Sequence, residues 1–184
     1  LSMNVSTQAL RRSLAYFPLV GLIIGGILYG LDQLLALAFP AILVNIFLVI
    51  ALVIITRALH LDGFIDTCDG LAGGQSPESR LAIMRDSRVG GFGVVGGCCL
   101  ILLQYIALTT IPDEHRMSAL ILMPAISRWT MVYAIFAYPY AREQGMGRIF
   151  QEGSNLPWLA IATVIALAAA TALLKLEGLA VMAA

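Results

Sequence analysis

Charge is scarce in this chain: only 12% of its 184 residues are Asp, Glu, Lys or Arg, and eleven acids balance eleven bases. A neutral total excludes the electrostatic footprint of a nucleic-acid binder and gives no general attraction to an anionic lipid surface. Any electrostatic argument must come from where the charges lie. Cysteine is also thin. Cys68, Cys98 and Cys99 are odd in number, form no C-x-x-C pair and lie in or beside apolar segments, which argues against a disulfide scaffold or a zinc site. Cys98 and Cys99 read as small helix-packing residues, and Cys68 lacks the base partner that a thiol nucleophile needs. There is no Walker-type loop, internal repeat or low-complexity tract. No cleavable signal peptide is expected either, because the first sixteen residues are polar and the apolar stretch after them is too long for an h-region. Leu1 precedes Met3, so the chain is expected to be a portion of a longer one.

What is abundant is hydrocarbon. Apolar residues make up 60% of the chain, and the mean hydropathy is +0.90, as in a membrane protein. A spanning helix takes roughly 20 apolar residues, and windows near 17–39, 41–59, 92–111, 117–138 and 156–174 qualify. The fold expected is all-α, a polytopic transmembrane helical bundle of about five spans forming a single integral membrane domain over 1–184. Gly21, Gly25, Gly26 and Gly30 mark a close helix interface in the first span, and Pro40 separates it from the second. With the amino terminus inside, Arg11, Arg12, Arg57, Arg80, Arg85, Arg88, Arg142 and Arg148 fall on the cytoplasmic side. Only Arg116 and Lys175 fall outside, and Arg128 lies within a span. The polar active site is therefore expected on the cytoplasmic face.

The stretch "LHLDGFIDTCDG", Leu59 to Gly70, carries three carboxylates where an apolar run ends. If it continues the second span as a helix, steps of four and seven residues rotate about 400° and 700°, placing Asp62, Asp66 and Asp69 within roughly 60° of one another. Acids so close repel one another, and a divalent cation between them relieves the repulsion. All-oxygen donors point to magnesium, manganese or calcium rather than zinc. The alternative is a solvated juxtamembrane helix with its acids in water or paired with Arg57. A solvated face normally mixes Lys and Glu, whereas this one uses only Asp.

Next, "RLAIMRDSRVGGFG", Arg80 to Gly93, adds Arg85, Asp86, Ser87 and Arg88 before the third span. A fourth carboxylate and two guanidiniums suited to phosphate oxygens are expected to face the acid cluster. Gly90, Gly91 and Gly93 would let backbone amides approach a phosphate, while Gly96 and Gly97 serve packing. Arg128 lies about 15 Å inside the fourth span and should face an acid or a ligand phosphate in the active site; the alternative is a pair with Asp32 of the first span, which this topology puts nearer the other membrane face. "YAREQGMGRIF", Tyr140 to Phe150, brings Arg142, Glu143 and Arg148 as a nucleotide clamp or as caps of the fourth span. His60 projects away from the Asp face, as an interfacial or substrate contact rather than a metal ligand. Metal-bound acids beside arginines point to phosphoryl or nucleotidyl transfer.

These residues resemble the cobalamin synthase family, the adenosylcobinamide-GDP ribazoletransferases. The resemblance rests on "FPLVG" at Phe17 to Gly21, "HLDGFIDTCDG" at His60 to Gly70, "MRDSRVG" at Met84 to Gly90, Ser127 with Arg128, and "YAREQGMG" at Tyr140 to Gly147. It implies a magnesium-dependent enzyme, with manganese an alternative, of the bacterial or archaeal cytoplasmic membrane. Such an enzyme joins α-ribazole or its 5′-phosphate to adenosylcobinamide-GDP and releases GMP, among membrane lipid, with no nucleic acid and with room for a homo-oligomer. By the same resemblance Asp62, Asp66, Asp69 and Asp86 hold metal, and Asp86 or Asp69 accepts the attacking hydroxyl's proton. His60, Arg85, Ser87, Arg88, Arg128, Arg142 and Arg148 contact substrate. Family members carry a T-x-L-P-x-P-like stretch before "FPLVG" and a G-G-x-T-G-D-type motif at the end; neither is in the sequence given, so truncation at both ends is expected. A CDP-alcohol phosphotransferase is the nearest enzyme rival, but its D-G-x-x-A-R signature meets Asp66 and Thr67 where Ala-Arg should stand. A cation transporter would need acids at the midplane of more than one span.

Overall fold

The computed structural model describes residues 7–142, 145–152 and 156–174. All regular structure among them is helical: α1 Thr7–Ser13, a 3-10 turn Leu14–Tyr16, α2 Phe17–Ala36, α3 Ala41–Ile55, α4 Leu59–Gly73, α5 Pro77–Ile83, α6 Gly91–Thr110, α7 Asp113–Ala137, α8 Met146–Gln151 and α9 Leu156–Leu174. Among the described residues four helices are long and apolar enough to cross a membrane, and the bent pair α3 and α4 supplies a fifth if counted as one span. The all-α membrane architecture expected from hydropathy is thus present. Two compact units share the chain, Gly30–Pro112 and Leu1–Tyr29 with Asp113–Ala184.

In the middle unit Pro40 caps α3 from an extended conformation. The expectation that α4 continues α3 is corrected, because the two axes meet at 88°. The turn is a Schellman closure: Ala58 N–H donates to the Val53 carbonyl at 2.8 Å and Arg57 N–H to the Ile54 carbonyl at 3.0 Å. Its left-handed positions are occupied by Arg57 (φ 52°) and Ala58 (φ 57°) rather than glycine, at about 1–2 kcal/mol each. The Ala58 carbonyl then accepts from Asp62 N–H at 2.8 Å, which starts α4 in its new direction. Further on, Ser76 and Ser79 form a reciprocal capping box at the start of α5. Helix α4 packs on α5 and α6, and α3 on α6.

Within the terminal unit α9 lies on α7 through Ala162, Ala166 and Ala170, all at most 1% exposed. Small residues at every fourth position let helices approach where no water is present to drive them together. Two interhelical hydrogen bonds reinforce the contact: Trp129 Nε1 to Thr163 Oγ1 at 2.9 Å and Ser118 Oγ to the Leu173 carbonyl at 3.2 Å. Gly21 and Gly25 sit directly against the α7 backbone at Pro124–Ala125 and Ile121, so the first span's interface is as expected there. Gly26 and Gly30, by contrast, face open space. Leu14, Val132 and Ala162 form a buried cluster beneath Phe17, Trp129 and Phe150. Cys98 and Cys99 are exposed on α6 instead of packing between helices.

Candidate active site

Helix α4 carries the acid series, and its three carboxylates have different surroundings. Asp62 is exposed, Asp66 is half-buried and Asp69 is buried. They share a helical strip, yet among the described residues no three His, Cys, Asp or Glu side chains converge as a metal-binding group. The reason is visible at Asp69, whose carboxylate turns into the α4–α6 contact. Its Oδ2 accepts from Gly90 N–H and its Oδ1 from Gly93 N–H, both at 2.7 Å.

Gly90 is the N-cap of α6, and Gly93 is the third residue of that helix. Asp69 therefore satisfies two backbone donors that a helix start leaves open, and places its negative charge at the positive end of the α6 dipole. A Cβ at Gly90 or Gly93 would collide with this carboxylate. Sequence reasoning expected these glycines to bring amides to a phosphate; instead the Gly90 and Gly93 amides are taken up by a carboxylate. That anion is the chain's own Asp69, a pairing between residues 21 and 24 positions apart that local spacing does not reveal. Gly96 and Gly97 serve packing as expected, meeting Cys68 and Ile65 of α4.

Asp86 lies in the turn between α5 and α6 and is bound to its own neighbour. Its carboxylate accepts from Arg88 Nη2 at 2.6 Å, from Arg88 Nε at 3.1 Å and from the Arg88 backbone N–H at 3.0 Å. The Arg88 side-chain hydrogen bonds, with its backbone amide next, hold the Asp86 carboxyl down at about 2, and Arg88 is pushed up in return. The expected placement of Asp86 in a four-acid cluster is not found, since this local clasp holds it. Arg85, Ser87 and Arg88 are exposed around the same turn, and His60 is exposed in the first turn of α4.

The remaining expected residues belong to the terminal unit. Arg128 is half-buried on α7, and its Nη1 donates to Ser127 Oγ at 2.9 Å. Arg142 and Arg148 border a cavity of about 420 Å³ together with Tyr140, Ala141, Gln151 and Glu152. Arg148 Nε donates to Glu152 Oε1 at 2.9 Å, while Glu152 Oε2 lies 3.5 Å from Arg11 Nη2. Glu143, expected beside them, lies outside the described residues. Tyr140, Gln151 and Glu152 were missed by sequence reasoning. The pair Gly145 and Gly147, both packed against the Tyr140 ring, was the local signal for that wall.

A chain whose described residues form helices and no strands, several of them apolar and of membrane length, with polar residues gathered on short helices and turns between them, is an integral membrane protein of polytopic type. Its sequence matches the cobalamin-5-phosphate synthase family model over residues 1–184, and the chain belongs to that family. A protein of Geotalea daltonii named adenosylcobinamide-GDP ribazoletransferase is 39% identical over 178 residues, covering 97% of this chain and 72% of the relative. Proteins of the same name from Syntrophobacter fumaroxidans and Roseiflexus sp. are 39% and 36% identical, covering 81% and 88% of this chain. The chain spans 60% and 63% of the length of these two relatives. No solved structure matches it.

Proposed function

We propose that the protein of which this chain is part joins α-ribazole or α-ribazole 5′-phosphate to adenosylcobinamide-GDP with release of GMP, a late step in assembling the nucleotide loop of cobalamin. The observation that carries this reading is the 39% identity, over 97% of the chain, to a relative named adenosylcobinamide-GDP ribazoletransferase. In the transfer a ribazole hydroxyl attacks the phosphorus attached to cobinamide, the bond from that phosphorus to the GMP oxygen breaks, and the hydroxyl proton passes to a base.

Magnesium fits the acid strip. Asp62 and Asp66 stand one turn apart on α4, and Mg²⁺ is commonly held by one or two carboxylates completed by substrate phosphate oxygens and water, not by an all-protein cage. Asp62 and Asp66 would hold the cation, with manganese an alternative, and it would supply charge neutralisation on the diphosphate. Asp69 has an amide on each oxygen, and Asp86, held near 2, is a weak base at neutral pH. The reading accordingly gives both positioning roles: Asp69 fixes α4 against α6, and Asp86 fixes the turn bearing Arg85, Ser87 and Arg88. Those guanidiniums and Arg128 suit the donor's phosphates, and His60 is a substrate contact. The distribution of arginines supports reading these turns as cytoplasmic, in a bacterial or archaeal cytoplasmic membrane.

The test uses the full-length protein in membranes, with adenosylcobinamide-GDP and α-ribazole. GMP release is expected to need Mg²⁺ and to vanish in Asp66→Asn. Full activity in that variant removes the role given to Asp66, and CMP release from a CDP-activated lipid, with no GMP from the corrinoid donor, moves the enzyme to the rival class.

A further inference from the structure

The cavity bordered by Tyr140, Arg142, Arg148, Gln151 and Glu152 is a built structure, unlike a gap between surface side chains. Gln151 stitches its rim: the side-chain oxygen accepts from Tyr140 N–H at 2.8 Å, and the side-chain nitrogen donates to the Tyr138 carbonyl at 2.8 Å. One amide thus fixes two backbone groups of the segment leaving α7. Glu152 forms the next support, bridging Arg148 and Arg11, and Arg11 Nε donates to the Ile149 carbonyl at 3.3 Å, tying α1 to α8. Gly145 (φ 145°) and Gly147 leave space that the Tyr140 ring fills; a Cβ on either would strike the ring. The walls are therefore set before any ligand arrives, which reduces the ordering cost of binding.

The charges are not balanced among the described residues of this frame. Glu152 is shared between Arg148 and Arg11, whereas half-buried Arg142 makes no ion pair with the described residues. Among the described residues lining this cavity of about 420 Å³, two guanidiniums and one committed carboxylate leave a net attraction for an anion of small-molecule size. Guanidinium matches phosphate in shape and charge, and a phosphomonoester dianion gains most from it.

We propose that this cavity binds the phosphate end of a nucleoside 5′-phosphate. The inference rests on the proposed transferase reaction, which offers two ligands of that chemistry: the acceptor α-ribazole 5′-phosphate and the released GMP. Arg142 supplies the primary contact, and Arg148 borders the same space while held by Glu152.

The experiment compares wild type with Arg142→Gln and Arg142→Lys in the full-length protein in lipid nanodiscs. If the acceptor's phosphate occupies the cavity, Arg142→Gln raises the ratio of KM for α-ribazole 5′-phosphate to KM for α-ribazole about tenfold, the size of one lost charge-assisted hydrogen bond. If GMP occupies it, product inhibition by GMP weakens about tenfold with either acceptor. Arg142→Lys restores part of either effect, which a fold defect would not allow. An unchanged KM ratio together with unchanged GMP inhibition overturns the proposal. Equilibrium binding of GMP to the protein without donor separates this inference from the reaction on which it rests. GMP binding lost in Arg142→Gln supports the cavity even where no transfer is observed, and active enzyme with both readouts unmoved discards the cavity while leaving the transferase standing.

Discussion

Replacing Asp69 by Asn tests the α4–α6 lock most directly. The native carboxylate receives two backbone amides at 2.7 Å, one of them in a buried contact. Hydrogen bonds to a charged group contribute about 1.5–3 kcal/mol each, and a buried donor left without a partner costs about 1–3 kcal/mol. Asn keeps one carbonyl oxygen but turns an amino group toward the other N–H, so one bond is lost outright and the survivor loses its charge. The expected destabilisation is about 2–4 kcal/mol. Opening of the α6 start should become easier by the same amount, so amide exchange at Gly90 and Gly93 is expected to accelerate about 30- to 1,000-fold in nanodiscs. Asp69→Glu should not rescue, because the extra methylene drives the carboxylate into glycines already in contact with it. Protection of both amides at wild-type levels in Asp69→Asn would refute the reasoning. Recovery of the variant's stability on adding excess Mg²⁺ would return Asp69 to the metal.

Three further outcomes are expected. Gly21→Ala and Gly25→Ala place a methyl against α7 backbone atoms that cannot rotate away, so each should lower stability by about 1–3 kcal/mol or more, read as a shift in the thermal transition in detergent. Thr163→Val removes the acceptor of the Trp129 indole N–H, and a loss of about 1–3 kcal/mol with a changed Trp fluorescence maximum is expected; an unaltered spectrum would speak against that bond. Asp86 has a folded-state pKa of about 2, below its ordinary value of 3.8, so its contribution is complete above the ordinary value and fades as the pH falls toward the folded one. The stability difference between wild type and Asp86→Asn should therefore be flat from about pH 7 to 5 and shrink below about pH 4, as followed by thermal denaturation. A difference that changes between pH 7 and 5 would contradict the Arg88 clasp.

Long apolar runs made the spanning helices legible, because 20 residues of α2 or α6 have little option but to hydrogen-bond internally in hydrocarbon. The right-angled break was hidden. Schellman closures usually advertise themselves by glycine, and here Arg57 and Ala58 hold the left-handed positions. Helical spacing correctly put Asp62, Asp66 and Asp69 along one helix, but could not say that Asp69 would be claimed by amides of another. The Asp86–Arg88 clasp is a two-residue contact, yet "RDSR" alone does not state which way its side chains fold. Gln151 shows a different limit: its amide serves backbone groups 11 and 13 residues earlier, and such partners exist only once α8 has returned to the end of α7.

The 88° corner at Arg57–Ala58 also settles how depth can be allotted. Two helix axes at right angles cannot both run along the bilayer normal. Were α4 collinear with α3, the seven steps from Asp62 to Asp69 would string their acids over about 10 Å of depth, through a steep gradient of dielectric constant. Turned sideways to a vertical α3, the same residues share one stratum, so the differences among them, from exposed Asp62 to buried Asp69, come from packing against α6 and not from depth. Lateral separation along α4, instead of penetration, then distinguishes Asp62 from Asp69.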